Sequence, residues 1–511
     1  MGLFDLFKRN KPKVPARTYV KLDGRRNFEG AQINRLTDSW TTSPRDIDQL
    51  LEKQLRILIA RSRDQAINND YGRRFLGTIK ANVVGPDGIQ MQARILNQKG
   101  NPDQLVNDAI ELEWRGFSRL GACDVTGTLS FIDALNMYIS TVATDGEILI
   151  YHNESAVNAS GYAFQLINSL SLDPTYNRSL ENGNKIRMGI EFDVWRKPVA
   201  YHITVTDTRE PNYNYHGRQY RRIPASVMDH RFIPEFMNQS RGIPWMASAL
   251  MRMEMLHGYE ESAVIASRVG ASKMGIITSP DGNGYAGDGT DPSGNILTDA
   301  VPGAFEQLPE GWGLEAWNPA YPHQQFKDFV KATLRGISSG LGVSYNSLAN
   351  DLEGVNFSSI RAGVLEEREI WKALQGWTVR TFCQPVYERW LRIQLARQNI
   401  KVKGQPLRDE RFNKCCDVTW QPRRWSWVDP VKDVQANVMA VNNGMKTISD
   451  CIRETGKDPI DVWRERQREI QLMTDLGIPV EPASAGSSFS GGGNDGTDQT
   501  DQAATDQQAN P

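Results

Sequence analysis

The residues able to do chemistry are scattered. Gly282-Asn283-Gly284-Tyr285-Ala286-Gly287 satisfies G-x-G-x-x-G. A dinucleotide fingerprint, however, must open a helix straight after a strand. Here "DGTDPSGN" follows, a turn-forming and acidic run where phosphate would have to sit, so the segment reads as a loop. The same aspartates lack the EF-hand spacing and its closing glutamate. His152, His202, His216, His230, His257 and His323 share no metal-ligand spacing, and His152-x-Glu154 lacks the P-C-x-x-C of a zinc deaminase. There is no G-x-x-x-x-G-K-[ST] and no G-x-S-x-G. Cys123, Cys383, Cys415, Cys416 and Cys451 contain no C-x-x-C, and the adjacent pair is too strained to bridge readily. Reduced, buried thiols are the expectation. No catalytic residue, metal site or cofactor is expected, and the reading is a non-enzyme.

What remains is charge and its placement. Net charge is −2, so no whole-molecule field draws the chain to nucleic acid or membrane. The first 26 residues carry eight Lys or Arg against two Asp, a basic arm. Between Lys273 and Lys327 there is no Lys or Arg, while Asp281, Asp288, Asp291, Asp299, Glu306, Glu310 and Glu315 supply seven acids. A second acidic place is the loop before the helix "RAGVLEERE". It holds Asp351 and Glu353 and has no Lys or Arg before Arg361. Long polar loops inside a compact domain are functional or disordered. No run of 18 apolar residues supports a membrane span. The start "MGLFDLFKRNKPK" lacks the apolar core of a secretory signal, and Leu6 replaces the Ser or Thr of a myristoylation motif.

The elements that must position these loops follow from periodicity. The 511 residues suggest roughly two to four domains. Ser43-Pro44-Arg45-Asp46 predicts a helix start, followed by Ile47, Leu50, Leu51, Leu55, Leu58 and Ile59 at helical spacing. Helices follow with Phe75, Leu76 and Ile79 on one side, around 103–115 and around 131–144. From Gly146 short β-branched runs separated by turns predict an antiparallel sheet region ending near Pro234. A long helix is predicted from Pro244, its Ala249, Met253, Leu256, Ala263 and Ala266 stripe suited to close packing. "MGIITS" and "AFEQL" read as short strands in the acidic segment. Phe326, Phe329, Val330, Leu334 and Ile337 mark the next helix. A helix over 358–397 should kink at Pro385. "DVTWQPRRWSWVDP" reads as strand or turn, 433–476 as helical, and the chain after Pro482 as too polar to order itself. The 13 tryptophans are expected as core and contact anchors.

Several blocks carry a resemblance. "SPRDIDQLLEKQLRILIARSRDQAINNDYGRRFLGTIKANVVGPDGI", "CDVTGTLSF", "DGEILI", "RGIPWMASAL", "LRGISSGLGVSYNSLANDLEGVNFSSIRAGVLEERE" and "QPVYERWL" resemble, in order, the portal proteins of lambda-like tailed phages. The resemblance covers Leu36 to Trp390 and, more loosely, the chain to about Leu476. It implies an α+β portal fold of long helices and antiparallel sheet, assembled as a ring, usually of twelve copies, at one capsid vertex. In that scheme 1–35 is a basic mobile arm and 36–243 the wing. Stem helices at 244–272 and 323–342 flank a clip at 273–322. A tunnel loop spans 343–357, the wing helix and return 358–430, crown helices 431–481 and a disordered tail 482–511. Val343, Ser344, Tyr345, Asn346, Asp351, Glu353 and Asn356 would then line a channel for double-stranded DNA with a weakly repulsive wall. Asp281, Asp288, Asp291, Asp299, Glu306 and Glu310 would offer a docking surface. The implied partners are the terminase large subunit, the major capsid and scaffold proteins and head-tail connector proteins, in the virion and with no membrane. The alternatives are a virion-associated peptidase or nuclease and a monomeric head-assembly scaffold.

Overall fold

The computed structural model describes residues 28, 31–156, 158–205, 219–272, 276–278, 289–290, 296–297, 313–315, 325–353, 357–425, 430–455 and 457–477. The arm before residue 28, the tail after 477 and most of 273–324 lie outside the described residues. The chain opens with α1 (Ile47–Asn68), α2 (Asp70–Ile79), β1 (Gln90–Ala93), α3 (Gln104–Phe117) and α4 (Phe131–Asp145). α1 starts later than Ser43, because the Asp46 carboxylate accepts from Asp48 N and is the cap. Asn69 caps α2, its side chain accepting from Tyr71 N and Gly72 N. Ser130 and Asp133 form a reciprocal capping box on α4. The buried stripes of α1 and α2 are Leu51, Leu55 and Ile59, and Phe75 and Ile79.

The sheet region is antiparallel, as expected. β2 (Glu147–Asn153) is central to a three-stranded sheet between β3 (Ala163–Ile167) and β9 (Met228–Phe232). β4 (Arg178–Ser179), β5 (Lys185–Arg187), β6 (Ile190–Phe192), β7 (Pro198–Thr204) and β8 (Tyr220–Pro224) form a meander in sequence order. Leu149 and Met228 of the smaller sheet pack with Ile190, Phe192, Tyr201 and Ile203 of the larger.

α5 (Leu250–Ser272) and α6 (Phe326–Leu341) run antiparallel. Ser248 Oγ donates to Gly340 O at 3.0 Å near one end, and Tyr259 meets Phe326 and Phe329 at the other. Between them lie the two-stranded pairs of β10 (Ile276–Thr278) with β13 (Gly313–Glu315) and of β11 (Gly289–Thr290) with β12 (Ile296–Leu297). "AFEQL" lies outside the described residues. α7 (Tyr345–Ala349) is a single turn, and α8 (Phe357–Thr378) leads into α9 (Gln384–Ala396) through a π-helical stretch at Val379–Cys383. Pro385 sits in the first turn of α9, so the wider π turn just before it takes up the break that proline imposes. β14 (Lys401–Val402), β15 (Gln405–Pro406), α10 (Phe412–Cys415) and β16 (Val418–Gln421) follow, β16 pairing with β1. α11 (Pro430–Asn442), α12 (Ile448–Glu454) and α13 (Pro459–Asp475) end the described chain.

The core has an aromatic centre. Trp114 of α3 lies 5.1–5.8 Å, ring to ring, from Phe117, Phe131, Tyr387, Trp390 and Trp420. Edge-to-face contacts of this kind tie α3, α4, α9 and β16 into one body. Trp195 departs from the expected role: it stands 87% exposed between β6 and β7. Cys123, Cys383 and Cys415 are buried free thiols, whereas Cys416 and Cys451 are partly exposed.

The predicted start of α5 at Pro244 is six residues early, because the chain first docks on the end of α4. Gly146 has φ +87°, and a Cβ there would strike the backbone of Ile243. A Cβ at Gly242 would strike the Gly146 carbonyl. This close approach puts Arg241 on Glu147, both with wholly buried side chains. Arg241 Nε donates to both Glu147 oxygens at 2.8 and 2.9 Å, and Arg241 Nη1 donates to Met188 O at 2.9 Å. Gly242 N donates to Glu147 Oε2 at 2.9 Å, and His230 Nε2 lies 2.8 Å from the same oxygen. Trp245 N then donates to Ala143 O, and only after two turns does α5 begin. Burial alone would raise the Glu147 pKa, but Arg241 and His230 more than offset it and bring it to about 2.

Two predictions follow from this joint. Glu147→Leu leaves a buried, unpaired guanidinium and should cost about 3–5 kcal/mol, while Glu147→Leu with Arg241→Leu costs markedly less; denaturant unfolding measures both. The Glu147 pKa is about 2 folded against an ordinary 4.5, so its stabilisation is complete above pH 4.5 and lost as pH falls towards 2. Across that window the unfolding midpoint of Glu147→Gln should depend less on pH than that of the parent chain.

Candidate functional site

The loop after α6 is built in two halves. α6 ends at Gly342, whose φ of +67° is a left-handed cap, and Val343 N returns to Ser338 O at 3.1 Å. Ser344 caps α7, its hydroxyl accepting from Ser347 N at 3.2 Å. Glu367 of α8, only 9% exposed, accepts from Ser344 N at 3.3 Å and from the hydroxyls of Ser344 and Ser347 at 3.2 and 2.9 Å. Arg74 of α2 donates to Ser347 O at 3.1 Å. Val343 and Leu348 are buried. This half is fastened to α2 and α8. The sequence pointed to a long irregular loop and missed α7, although Ser344 is of the residue type that caps helix starts.

The second half folds back on α6. Asn350 takes φ +54° and turns the chain. Tyr345 Oη donates to Asp351 Oδ2 at 2.7 Å, and Glu353 N donates to Asp351 Oδ1 at 2.9 Å. Lys331 Nζ lies 3.4 Å from Asp351, and Lys327 Nζ 2.5 Å from Glu353. Lys331 Nζ and the Arg335 guanidinium each sit 5.7 Å from the Tyr345 ring centre. The Asp351 carboxyl is brought down to about 2 by the Tyr345 hydroxyl, the Glu353 N–H and Lys331. Burial and that same carboxylate push the Tyr345 phenol up to about 12, so the proton stays on the tyrosine.

Within the subunit both acids of the loop are paired with cations. The loop's own sequence is acidic, but α6 supplies its countercharges, and local charge is close to balanced. The α6 spacing Lys327, Lys331, Arg335 was visible in the sequence; which loop atoms it meets was not. Of the expected loop residues, Val343 is buried. Ser344, Tyr345, Asn346 and Asp351 are half-buried, and Glu353 is exposed. Asn356 lies outside the described residues, as do Asp281, Asp288, Asp291, Asp299, Glu306 and Glu310.

The other candidates separate. His152 points inward, with Nδ1 2.8 Å from Tyr162 Oη and Nε2 3.1 Å from Asp229. Glu154 instead pairs with Arg389 at 3.1 Å on the outside. Among the described residues no group of three or more His, Cys, Asp or Glu is placed to hold a metal. No helix there is long and apolar enough to cross a membrane.

Comparison with known proteins adds the family. The profile described as "Phage portal protein, lambda family" matches residues 34–375. A "Probable portal protein" of Halomonas phage phiHAP-1 is 33% identical over 476 residues, covering 92% of this chain and 90% of its own. Portal protein B of Escherichia phage lambda is 20% identical, covering 93% and 94%. A solved chain from the neck of an empty GTA particle, computed with C6 symmetry, aligns over 80% of this chain and 94% of its own, at 14% identity and a TM-score of 0.41. The family profile spans well over half the sequence, and the Halomonas phage relative matches nearly end to end: the chain belongs to the lambda family of phage portal proteins.

Proposed function

We propose that the subunits stand around an axis with α5 and α6 side by side, so that the loop 343–357 of each copy faces a central channel. Family membership makes the chain a portal protein, part of the head-tail connector ring that serves DNA packaging. The finer assignment supplies twelve copies, duplex DNA passing the loop, and a clip at 273–322 presenting its acids to the terminase large subunit and then to head-tail joining proteins. Contacts of the wing with the major capsid and scaffold proteins, assembly in the host cytoplasm and the absence of catalysis complete it. Acidic surface suits a basic docking partner, because complementary fields steer encounter.

The observation that carries this reading is a second apolar stripe on α5. Ala249, Met253, Leu256 and Ala263 are buried inside the subunit. Met251, Met255 and Ile265, on the opposite side at 3.6 residues per turn, are 66%, 66% and 51% exposed. A helix apolar on both sides is a helix with a second neighbour, and in a closed ring that neighbour is the next copy. The loop supports it differently. Its first half is fastened by Glu367 and Arg74 while its tip carries exposed Leu352 and Glu353, a rigid base presenting a small projecting end.

Electron microscopy of the purified full-length chain should show rings with an axial hole; a monomer would sink the reading. Met251→Asp with Met255→Asp should break the rings into smaller species while shifting subunit unfolding by no more than about 0.5 kcal/mol, since both side chains are exposed. Asp351→Lys with Glu353→Lys should keep the ring and impair packaging of DNA into heads. The change sets five cations together, the two new lysines with Lys327, Lys331 and Arg335, which drives the tip off α6 and gives the channel a wall that grips phosphate. Unimpaired packaging by that variant would place the loop elsewhere.

A further inference from the structure

Lys327, Lys331 and Arg335 recur every four residues along one edge of α6, so their backbone positions rise by about 6 Å per step. The strip of about 12 Å spans three or four nucleotide steps of a duplex, at an axial rise of about 3.4 Å per step. Each cation already holds an acceptor from the loop. Glu353 takes Lys327, Asp351 takes Lys331, and the Tyr345 ring faces both Lys331 and Arg335. The loop tip thus runs antiparallel to the helix with its acceptors in register with the cations, as a phosphate chain would lie.

We infer that the α6 edge of Lys327, Lys331 and Arg335 is a contact strip for the phosphates of duplex DNA, and that Asp351 and Glu353 are its built-in competitors. The physical case is one of exchange. Lys327 and Glu353 are 65% and 69% exposed, and ion pairs in that setting are weak and screened by salt. A passing duplex, with one charge per about 1.7 Å of axis, outcompetes a single carboxylate while it is near and returns the lysine when it moves on. The lysine is never left bare and the displaced, exposed Glu353 carboxylate is taken up by water, so the contact has a small free-energy difference between its two states. Such a surface touches DNA without holding it. The loop acids serve by being displaced, which a simple repulsive wall would not require. Arg335 is held differently: its partner is a ring face, and the guanidinium edge remains able to meet a phosphate in plane.

The inference deepens the channel reading and rests on it for its role in packaging, but not for the binding itself. The test uses full-length rings, a short random-sequence duplex as probe and a salt titration. Asp351→Asn with Glu353→Gln should tighten duplex binding by about 3- to 30-fold and steepen the dependence on salt, because unmasked lysines release counterions. Adding Lys327→Gln and Lys331→Gln should return affinity and slope to the parent values or below. The pair Glu465→Gln and Glu469→Gln on α13 removes the same charge away from the strip and should change neither. Unchanged binding in the first variant overturns the inference. So does tightening that survives loss of the lysines or that the α13 pair reproduces, since either makes it a bulk-charge effect. Normal packaging by the tightened variant would instead overturn the channel placement, leaving the masked strip in place; the two failures are therefore distinguishable.

Discussion

A buried carboxylate and a buried guanidinium, brought together by two glycines, fix how the helical pair leaves the body. Gly146 and Gly242 allow backbones to approach where any side chain would collide, and that approach sets Arg241 on Glu147. A pair so placed contributes little net stability over an apolar core, because desolvation takes back much of the attraction. Its value is specificity. Arg241 also donates to the carbonyls of Met188 and Leu172, and Glu147 also holds His230 and Gly242 N, so only one docking satisfies every buried group. The chain entering α5 is thereby tied to α4, β2, β9 and the five-stranded meander.

The aromatic centre does the same for the helices that carry the base of the loop. Trp114 and its ring neighbours lock α3, α4 and α9 together, and the π turn at Val379–Cys383 lets α8 and α9 continue past Pro385 without a break. α8 is then a fixed rod, and Glu367 on it is a fixed acceptor. The base of the loop is positioned from α8 by a carboxylate and from α2 by an arginine, rather than by its own stiffness. Two remote anchors, one electrostatic and one aromatic, thus determine where a short projecting segment sits.

How far this was legible in the sequence depends on the range of the interaction. α2 and α4 were readable because caps and period are local: Asn69 and Ser130 stand where the helices start, and Phe75 with Ile79 keeps the 3.6 repeat. The start of α5 was not readable, since Pro244 is a good first-turn residue and the docking of Gly242 on Gly146 joins positions about a hundred apart in sequence. "DGEILI" and "RGIPWMASAL" were both noticed as blocks; that Glu147 of one grips Arg241 of the other is a tertiary fact. The loop followed the same rule. Its acids were visible and its first turn of helix was partly so, but the charge balance came from a helix whose lysines face it only after the chain turns at Gly342 and Asn350.

Repetition around an axis changes what such a loop can do. In one subunit, Lys327 with Glu353 is an ordinary exposed pair worth at most about 1 kcal/mol, and Lys331 with Asp351 is a half-buried one beside it. On the proposed placement, with the loop of each copy facing the channel, the same pairs would present an alternating band, cation and anion within a few ångströms, on every side of it. A uniformly negative band would repel DNA and a uniformly positive one would arrest it, in both cases with an energy that grows with the number of copies. An alternating band has little net field beyond a Debye length of about 8 Å, so its effect is felt only at contact. That is the property required of a wall along which a polyanion must advance in either direction, and it arises here because the loop's charges and their countercharges are carried by the same polypeptide.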